Sequence, residues 1–536
     1  MNPEPEWLAP PSWNVSQLLW RNTETCMDRN TYREEYHLEA SECCPLWNLG
    51  TDCEPNRCRY VHACCYNSCR TLFHIDHRAI QHTAPSRCLG CLDSLDGMNT
   101  LHPSPLEFDS RSSEADTREA CRIYKVQPPV LNADLFSKLL SATNINKPMQ
   151  DSLVKGWREG FDLGSELPEE NHLAKPPILD DTKKKVLREG LMTEVRRGKM
   201  VGPLNEPLSD NRWFQNHWVS PYFVIPKSTP PGAAQKWRLI HHLSWHQSGS
   251  RSASLNGHID TEKFPTVFPR PRTGAHVVFC LNPPGSALLG RDIRDYYRNF
   301  LLSPWTWWKT YTFALGSFWA NPYLPFGGSS CTSIAQRQSD AIRKVARVYG
   351  VKASSVAMLD DFLLVSPRKL GDTDEETLLR GGREGALFDK LLTDLKLPVA
   401  VEKSQQAAFT TVWCGVQYYS KTGVYGAPPS KWAKLKAFYT EHCIKPNGEH
   451  KESIKARILQ TLLGKFAHFM TVWPAGRPCL YYLWKLLITA GTWKSGKFKI
   501  HRANKLLRFD ANCMRALARW GNRLEIAAPP VRRMLP

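Results

Sequence analysis

No stretch of about 18 consecutive apolar residues occurs anywhere in the chain, so no membrane-spanning helix is expected. The first eleven residues carry two Glu and no apolar core, which excludes a secretory signal. No repeat of 20 to 50 residues is visible, which sets aside solenoids and propellers. Acidic residues are in short supply, 51 Asp plus Glu against 70 Lys plus Arg, for a formal charge of +19. These absences predict a protein that is not secreted, is cytoplasmic or nuclear or both, and has no membrane partner.

What is present is a chain of 536 residues, enough for three or four domains at about 150 residues each. A hydrophobic share of 42% with 23% charged residues is ordinary globular composition, while 39 Pro and 19 Trp imply many extended, aromatic-rich connections. The cationic surplus favours polyanionic partners through phosphate contacts and counterion release, nucleic acid ahead of an anionic membrane surface. That surplus is concentrated: residues 431–525 hold 19 basic and five acidic side chains, which makes this end the expected phosphate-gripping surface. Of the 17 Cys, ten fall between Cys26 and Cys91. In a reducing compartment, clustered thiols read as metal ligands rather than disulfides.

Composition sets off three parts ahead of the main body of the chain. Residues 1–40 form a Pro-, Asn- and Glu-rich leader without sustained period, 41–92 a Cys/His-rich module, and 93–125 a polar linker. Apolar residues then recur at helical spacing from Asn132, and again over residues 182–197. Residues 218–225 and 237–243 read as a hairpin with a long, turn-rich loop, and helices return over 430–536, the clearest over residues 453–470.

Two short apolar runs end at carboxylates. Leu288-Leu289-Gly290-Arg291-Asp292 places one at a strand end, and Ser355-Val-Ala-Met-Leu-Asp360-Asp361-Phe-Leu-Leu-Val365 places two at the tip of an apolar hairpin. Carboxylates on rigid strands are hard oxygen ligands that can converge on divalent cations, as two-metal phosphoryl chemistry requires. An isolated Asp pair is more often a polar turn, so the neighbouring segments decide.

Those segments resemble the ordered motifs of reverse transcriptases over roughly residues 150–480. Arg291-Asp-Ile-Arg-Asp-Tyr-Tyr-Arg-Asn-Phe300 resembles the first palm motif, Leu324-Pro-Phe-Gly-Gly-Ser-Ser-Cys331 the second, and Met358-Leu-Asp-Asp361 the third. Val399-Ala-Val-Glu-Lys403 and Trp413-Cys-Gly-Val416 resemble the fourth and fifth. Val201-Gly-Pro-Leu204, Val224-Ile-Pro-Lys227 and Lys236-Trp-Arg-Leu-Ile240 resemble the lead-in and the fingers hairpin. Within that superfamily the chain looks most like the DIRS-type enzymes of tyrosine-recombinase retrotransposons. The residues behind that likeness are Gly160-Phe-Asp-Leu-Gly164, Trp237-Arg-Leu-Ile-His-His-Leu-Ser244, Leu463-Gly-Lys465 and Pro474-Ala-Gly-Arg-Pro478.

The resemblance implies an α+β right-hand polymerase preceded by a small zinc-binding module. N-terminal helices and fingers would take residues 126–285, the palm 286–430, the basic helical thumb 431–525 and a tail 526–536. It assigns two Mg²⁺ or Mn²⁺ ions to Asp292 and Asp360, with Asp361 beside them and the Ile293 carbonyl completing one site. Tyr297 matches a steric gate that favours deoxynucleotides, Lys227 and Arg238 match triphosphate contacts, and Phe326 and Gly327 match the nucleotide-pocket loop. Lys403 matches a general acid for pyrophosphate, and Trp413, Cys414 and Gly415 match the primer grip. Two departures stand out: Gly328 and Ser329 replace bulkier residues, and Met358 replaces an aromatic.

In the N-terminal module, Cys44-x8-Cys53-x4-Cys58-x3-His62 is close to a Cys₃His zinc finger with a slightly short middle gap. A second Zn²⁺ site draws on Cys65 and Cys69, with His74, His77 or His82 and Cys88 or Cys91. Placed ahead of a polymerase, such a finger resembles a Gag-type nucleocapsid element that selects template RNA. The expected partners are an RNA template, a DNA primer and dNTPs. RNase H and recombinase activities are expected from other polypeptides, a longer precursor or the host. The main alternative is a catalytically inactive, Gag-like or domesticated RNA-binding protein that keeps the polymerase shape. An RNA polymerase or primase on the same palm is disfavoured by Tyr297.

Overall fold

The computed structural model describes residues 105–533 apart from Glu169, Pro176, 210–211, Gln215, 228–233, 246–253, Val267, 474–475, 495–496 and 527–528. The leader and all the zinc-ligand candidates, Cys44, Cys53, Cys58, His62, Cys65, Cys69, His74 and Cys88 among them, lie outside the described residues.

The chain mixes helices and strands. Among the described residues, the first elements are helices α1 (Glu114–Ile123), α2 (Ala133–Ser141) and α3 (Lys147–Glu159), then strand β1 (His172–Leu173) and α4 (Asp181–Arg196). Each of these helices starts where a side-chain oxygen accepts an otherwise orphaned backbone N–H: Ser113, Asn132, Asn146 and Asp180. Next come β2 (Val201–Leu204), β3 (Trp218–Val219), β4 (Tyr222–Pro226), β5 (Trp237–His241), α5 (Pro271–Phe279) and β6 (Ala287–Asp292). A short helix α6 (Pro304–Trp307) leads to β7 (Tyr311–Ala314), β8 (Ser317–Ala320) and the long α7 (Cys331–Tyr349). Strands β9 (Ser354–Met358) and β10 (Asp361–Ser366) precede α8 (Asp374–Asp394), and β11 (Gln405–Ala408), β12 (Thr410–Trp413), β13 (Val416–Tyr419) and β14 (Val424–Gly426) follow it. The basic end comprises α9 (Pro429–Cys443), β15 (Ser453–Lys455), α10 (Ala456–Phe469), α11 (Arg477–Ile488), β16 (Gly491–Lys494), β17 (Lys497–Ile500), β18 (Leu506–Arg508), α12 (Ala511–Glu525) and β19 (Val531–Arg533).

The central sheet has the order β11-β6-β10-β9, and its inner strands β6 and β10 are buried on both faces. Leu289, Ala357, Phe362 and Leu364 enter one core with Phe388, Leu391 and Leu392 of α8. Their neighbours Leu288, Val356, Leu363 and Val365 enter a second core with Val277 and Val278 of α5 and Trp413. Alternate side chains of a strand point to opposite faces, so double-sided burial turns the usual alternation into the continuous apolar runs seen in the sequence.

Four local expectations are corrected. Residues 218–225 are not one strand: Trp218–Val219 joins the five-stranded sheet β1-β3-β7-β8-β2, and only Tyr222–Pro226 pairs with β5. The break comes at Pro221, which has no N–H for a ladder. The helix expected from Ser453 begins instead at Ala456, because Ser453–Lys455 pairs with Leu506–Arg508. The stretch read as linker contains α1, whose Ala120 and Cys121 are buried in the first core. The stretch read as tail contributes β19, paired antiparallel with β14. Among the described residues no helix is long and apolar enough to cross a membrane.

Candidate active site

Three carboxylates meet where β6 ends and the β9–β10 hairpin turns. Asp361 is the direct cross-strand partner of Asp292, a pairing that puts both side chains on one face of the sheet. Asp360 sits in the two-residue turn between Met358 and Asp361, and its carbonyl accepts the Ile293 N–H at 3.0 Å. Leu359, the other turn residue, has φ +55°. Two-residue hairpins require this left-handed geometry and usually fill it with Gly; a branched side chain there costs about 1–2 kcal/mol.

Helix α7 holds that strained turn from below. Gln336 accepts the Leu359 N–H at 2.9 Å and donates to the Ala357 carbonyl at 3.1 Å, while Ser339 Oγ donates to the Leu359 carbonyl at 2.6 Å. The Tyr296 hydroxyl lies 2.6 Å from Ser339 Oγ and 3.0 Å from the Ala335 carbonyl. Gln336, Ser339 and Tyr296 are all buried. Helical periodicity does not reveal these polar positions, because they serve a backbone 20 or more residues away in sequence.

Burial pushes the Asp361 carboxyl up to about 7, with the nearby Asp360 and Asp292 charges adding to the rise. Burial also raises Asp360, and Asp292 reinforces it. Lys403 supplies the opposing charge: its Nζ lies 2.8 and 3.0 Å from the two oxygens of Asp292. Burial works against the Lys403 charge, but the Asp292 hydrogen bond and field outweigh it and hold the ammonium above its ordinary value.

Among the described residues, no three His, Cys, Asp or Glu side chains form a ready metal cage. The donor chemistry nevertheless suits Mg²⁺, which is commonly held by one or two carboxylates and completed by water and substrate phosphates. A cation already rests on Asp292, in the form of the Lys403 ammonium.

The candidate nucleotide residues fall into two groups. Tyr297 is nearly buried, its ring 4.7 Å from that of the exposed Phe326. Gly327 has φ +110°, and a Cβ there would lie 2.7 Å from the His241 carbonyl, so the loop needs Gly at this position. Gly328 is equally confined, since a Cβ would meet Cys331 Sγ at 2.4 Å. Asn256, not identified from sequence, stitches this loop: its amide donates to the Gly327 carbonyl at 2.7 Å and its oxygen accepts the Ser329 N–H at 2.9 Å. Lys227 and Arg238 are exposed on the β4–β5 hairpin and do not pair with the carboxylates. Behind this hairpin, a cavity of about 580 Å³ is lined by Trp237, Leu239, His241, Arg298 and Phe326.

The β12–β13 turn completes the site. Cys414 and Gly415 both have positive φ, the signature of a tight type I′ hairpin. Trp413 is buried and its Nε1 donates to the Asp361 carbonyl at 3.1 Å, while Cys414 Sγ lies 3.2 Å from Met358 Sδ. The two hairpin tips therefore touch, and Met358 fills the space between them.

No family model and no curated protein sequence matches this chain. Among solved structures, the chain is similar to a foamy viral protease-reverse transcriptase in complex with double-stranded DNA, at TM-score 0.43 and 14% identity over 76% of this chain and 63% of that one. A second complex of the foamy viral protease-reverse transcriptase with dsDNA gives 0.42 and 15% over 74% and 72%. One with an RNA/DNA hybrid gives 0.42 and 14% over 76% and 49%. This chain thus spans less than two thirds of the first of these structures. At such values the reading of function rests on the site's own chemistry.

Proposed function

We propose that the protein is a reverse transcriptase, an RNA-directed DNA polymerase that extends a DNA primer on RNA and on DNA templates and serves a DIRS-type retrotransposon. The observation that carries this reading is the pairing of Asp292 with Asp361 across adjacent strands, with Asp360 in the turn and Lys403 against Asp292. In this reading the central sheet is the palm, the β4–β5 hairpin belongs to the fingers, and residues 431–525 are the thumb.

In the reaction the primer 3′-oxygen forms a bond to the α-phosphorus of the dNTP, and the bond from that phosphorus to the bridging oxygen breaks to release pyrophosphate. Asp292 and Asp360, with Asp361 beside them and the Ile293 carbonyl, would supply the oxygen donors for two Mg²⁺ or Mn²⁺ ions, which when bound would acidify the attacking hydroxyl, its proton passing to water, and neutralise the leaving group. Lys403 gives its proton to the departing pyrophosphate. Tyr297, braced by Phe326, lies under the sugar and excludes a 2′-hydroxyl. Arg238 and Lys227 hold the triphosphate from the hairpin. The Trp413-Cys414-Gly415 turn supports the primer end, and the cationic residues 431–525 track the template–primer backbone. In this reading Cys44, Cys53, Cys58 and His62 would hold Zn²⁺ in an N-terminal module that selects template RNA. RNase H and recombinase functions come from other polypeptides or a longer precursor.

The test is dTTP incorporation by purified full-length protein on an RNA template with a DNA primer in Mg²⁺ or Mn²⁺, with Asp360→Asn alongside. Incorporation lost in the variant is the expected result. A folded protein that binds template yet incorporates nothing with either metal would replace this reading with the non-catalytic RNA-binding one.

A further inference from the structure

We propose that Lys403 is a built-in occupant of the Asp292 carboxylate, which a divalent cation must displace, so that loading the site and freeing the ammonium are one exchange. The inference rests on the metal-site reading above and adds a competitor to it.

Lys403 contacts both oxygens of Asp292, at 2.8 and 3.0 Å. A cation bound to either oxygen takes one of those contacts. The Lys403 side chain is 57% exposed and that of Asp292 only 15%, so the ammonium covers the carboxylate from the open side. The backbone that carries Lys403 is fastened to the strand end it covers. The Ala400 N–H donates to the Asp292 carbonyl and the Arg294 N–H to the Pro398 carbonyl, each at 2.8 Å. Ile293 and Val399 form a β-bridge, and Arg294 pairs with Glu402 at 2.8 Å.

These links fix the distance between the Lys403 and Asp292 backbones. The exchange therefore proceeds through the lysine side chain alone, a flexible four-carbon stem with a point-charge head. The electrostatic motive is local: three carboxylates share this corner, and Lys403 pairs with one of them, Asp292, while its field reaches the other two. Without a metal ion, the ammonium limits their mutual repulsion. With one, that service is redundant, and the released ammonium is the group that the proposed chemistry needs as a proton donor.

Mn²⁺ binding to the nucleic-acid-free, full-length protein, read from the electron paramagnetic resonance signal of free Mn²⁺, tests the exchange without any turnover. Lys403→Met should bind Mn²⁺ roughly three- to tenfold more tightly than the unmodified protein, as expected when a partly exposed competing ion pair is removed. Lys403→Arg, which keeps the charge, should bind like the unmodified protein, and Asp292→Asn should lose the site. If Lys403→Met binds no more tightly while Asp292→Asn still abolishes binding, the exchange is refuted and the metal site stands. If none of the proteins binds Mn²⁺ saturably, both fall together.

A second measurement covers a poorly folded Lys403→Met. In protein carrying ¹³C-methylated lysines, the resonance missing from the Lys403→Arg spectrum should shift on titration with Mg²⁺. A resonance that stays in place would also refute the exchange.

Discussion

Replacing Gln336 with Leu is the sharpest test of how the carboxylate turn is held. The substitution keeps side-chain bulk but removes the acceptor for the Leu359 N–H and the donor to the Ala357 carbonyl. A buried polar group that loses its partner costs about 1–3 kcal/mol. The turn it supported already carries the left-handed Leu359. Local opening of the β9–β10 tip should therefore become roughly 5- to 150-fold more frequent. Hydrogen exchange followed by mass spectrometry of peptides spanning residues 355–363 reads that opening directly. Gln338→Leu is the matched control: Gln338 is just as buried on the same helix, but it accepts from Trp157 Nε1 at 2.8 Å, away from the turn. Unchanged hairpin exchange in Gln336→Leu, or the same change in Gln338→Leu, would refute the pinned-turn account.

Three further outcomes are expected. Asp389→Ala strips the carboxylate from Arg291, which is 4% exposed and bonded to it at 2.7 Å while Asp389 itself is 37% exposed, and should cost roughly 2 kcal/mol, the penalty of a buried donor that loses its partner, seen as a lower thermal midpoint with Asp389→Asn milder. His241 is buried and stacked on Tyr222, and burial lowers its imidazole to about 3 from an ordinary 6.5. The unfolded chain then binds the extra proton between those values, so stability falls as pH drops from 6.5 towards 3; His241→Phe should flatten that part of a pH–denaturation profile. Tyr297→Ala should raise rUTP use relative to dTTP by about tenfold or more in primer extension, and unchanged sugar preference would remove Tyr297 from the gate.

The carboxylates were legible because β6 and the β9–β10 hairpin are buried on both sides, so that short apolar runs close to Asp292 and Asp360 stand out in the sequence, and the segments around them resemble ordered motifs. The helical spacing of α2, α3 and α4 was legible for the same local reason. The strand at Ser453–Lys455 was not, because its partner lies at Leu506–Arg508 and only that distant pairing makes it a strand. Val531–Arg533 was hidden likewise, a short basic segment whose ladder is supplied by β14. Gln336, Ser339 and Asn256 escaped notice because each satisfies a backbone group of another element. Nothing in a residue's own neighbourhood signals such a role.

The pairing of β14 with β19 makes the basic helical region an excursion with a doubled stem. The chain leaves the sheet at Ala427 and returns at Pro530, and the Ala427 N–H donates to the Pro530 carbonyl at 3.0 Å. The helices are thus tied to the sheet through two adjacent strands at once. Because exit and return are neighbours, deleting the excursion and rejoining its ends by a short turn leaves little closure entropy to overcome, but it would uncover Trp413, Tyr418 and Tyr425, which share the second core with Trp432, Leu459 and Phe466. The sheet bearing Trp413 would then be tested as a scaffold in its own right.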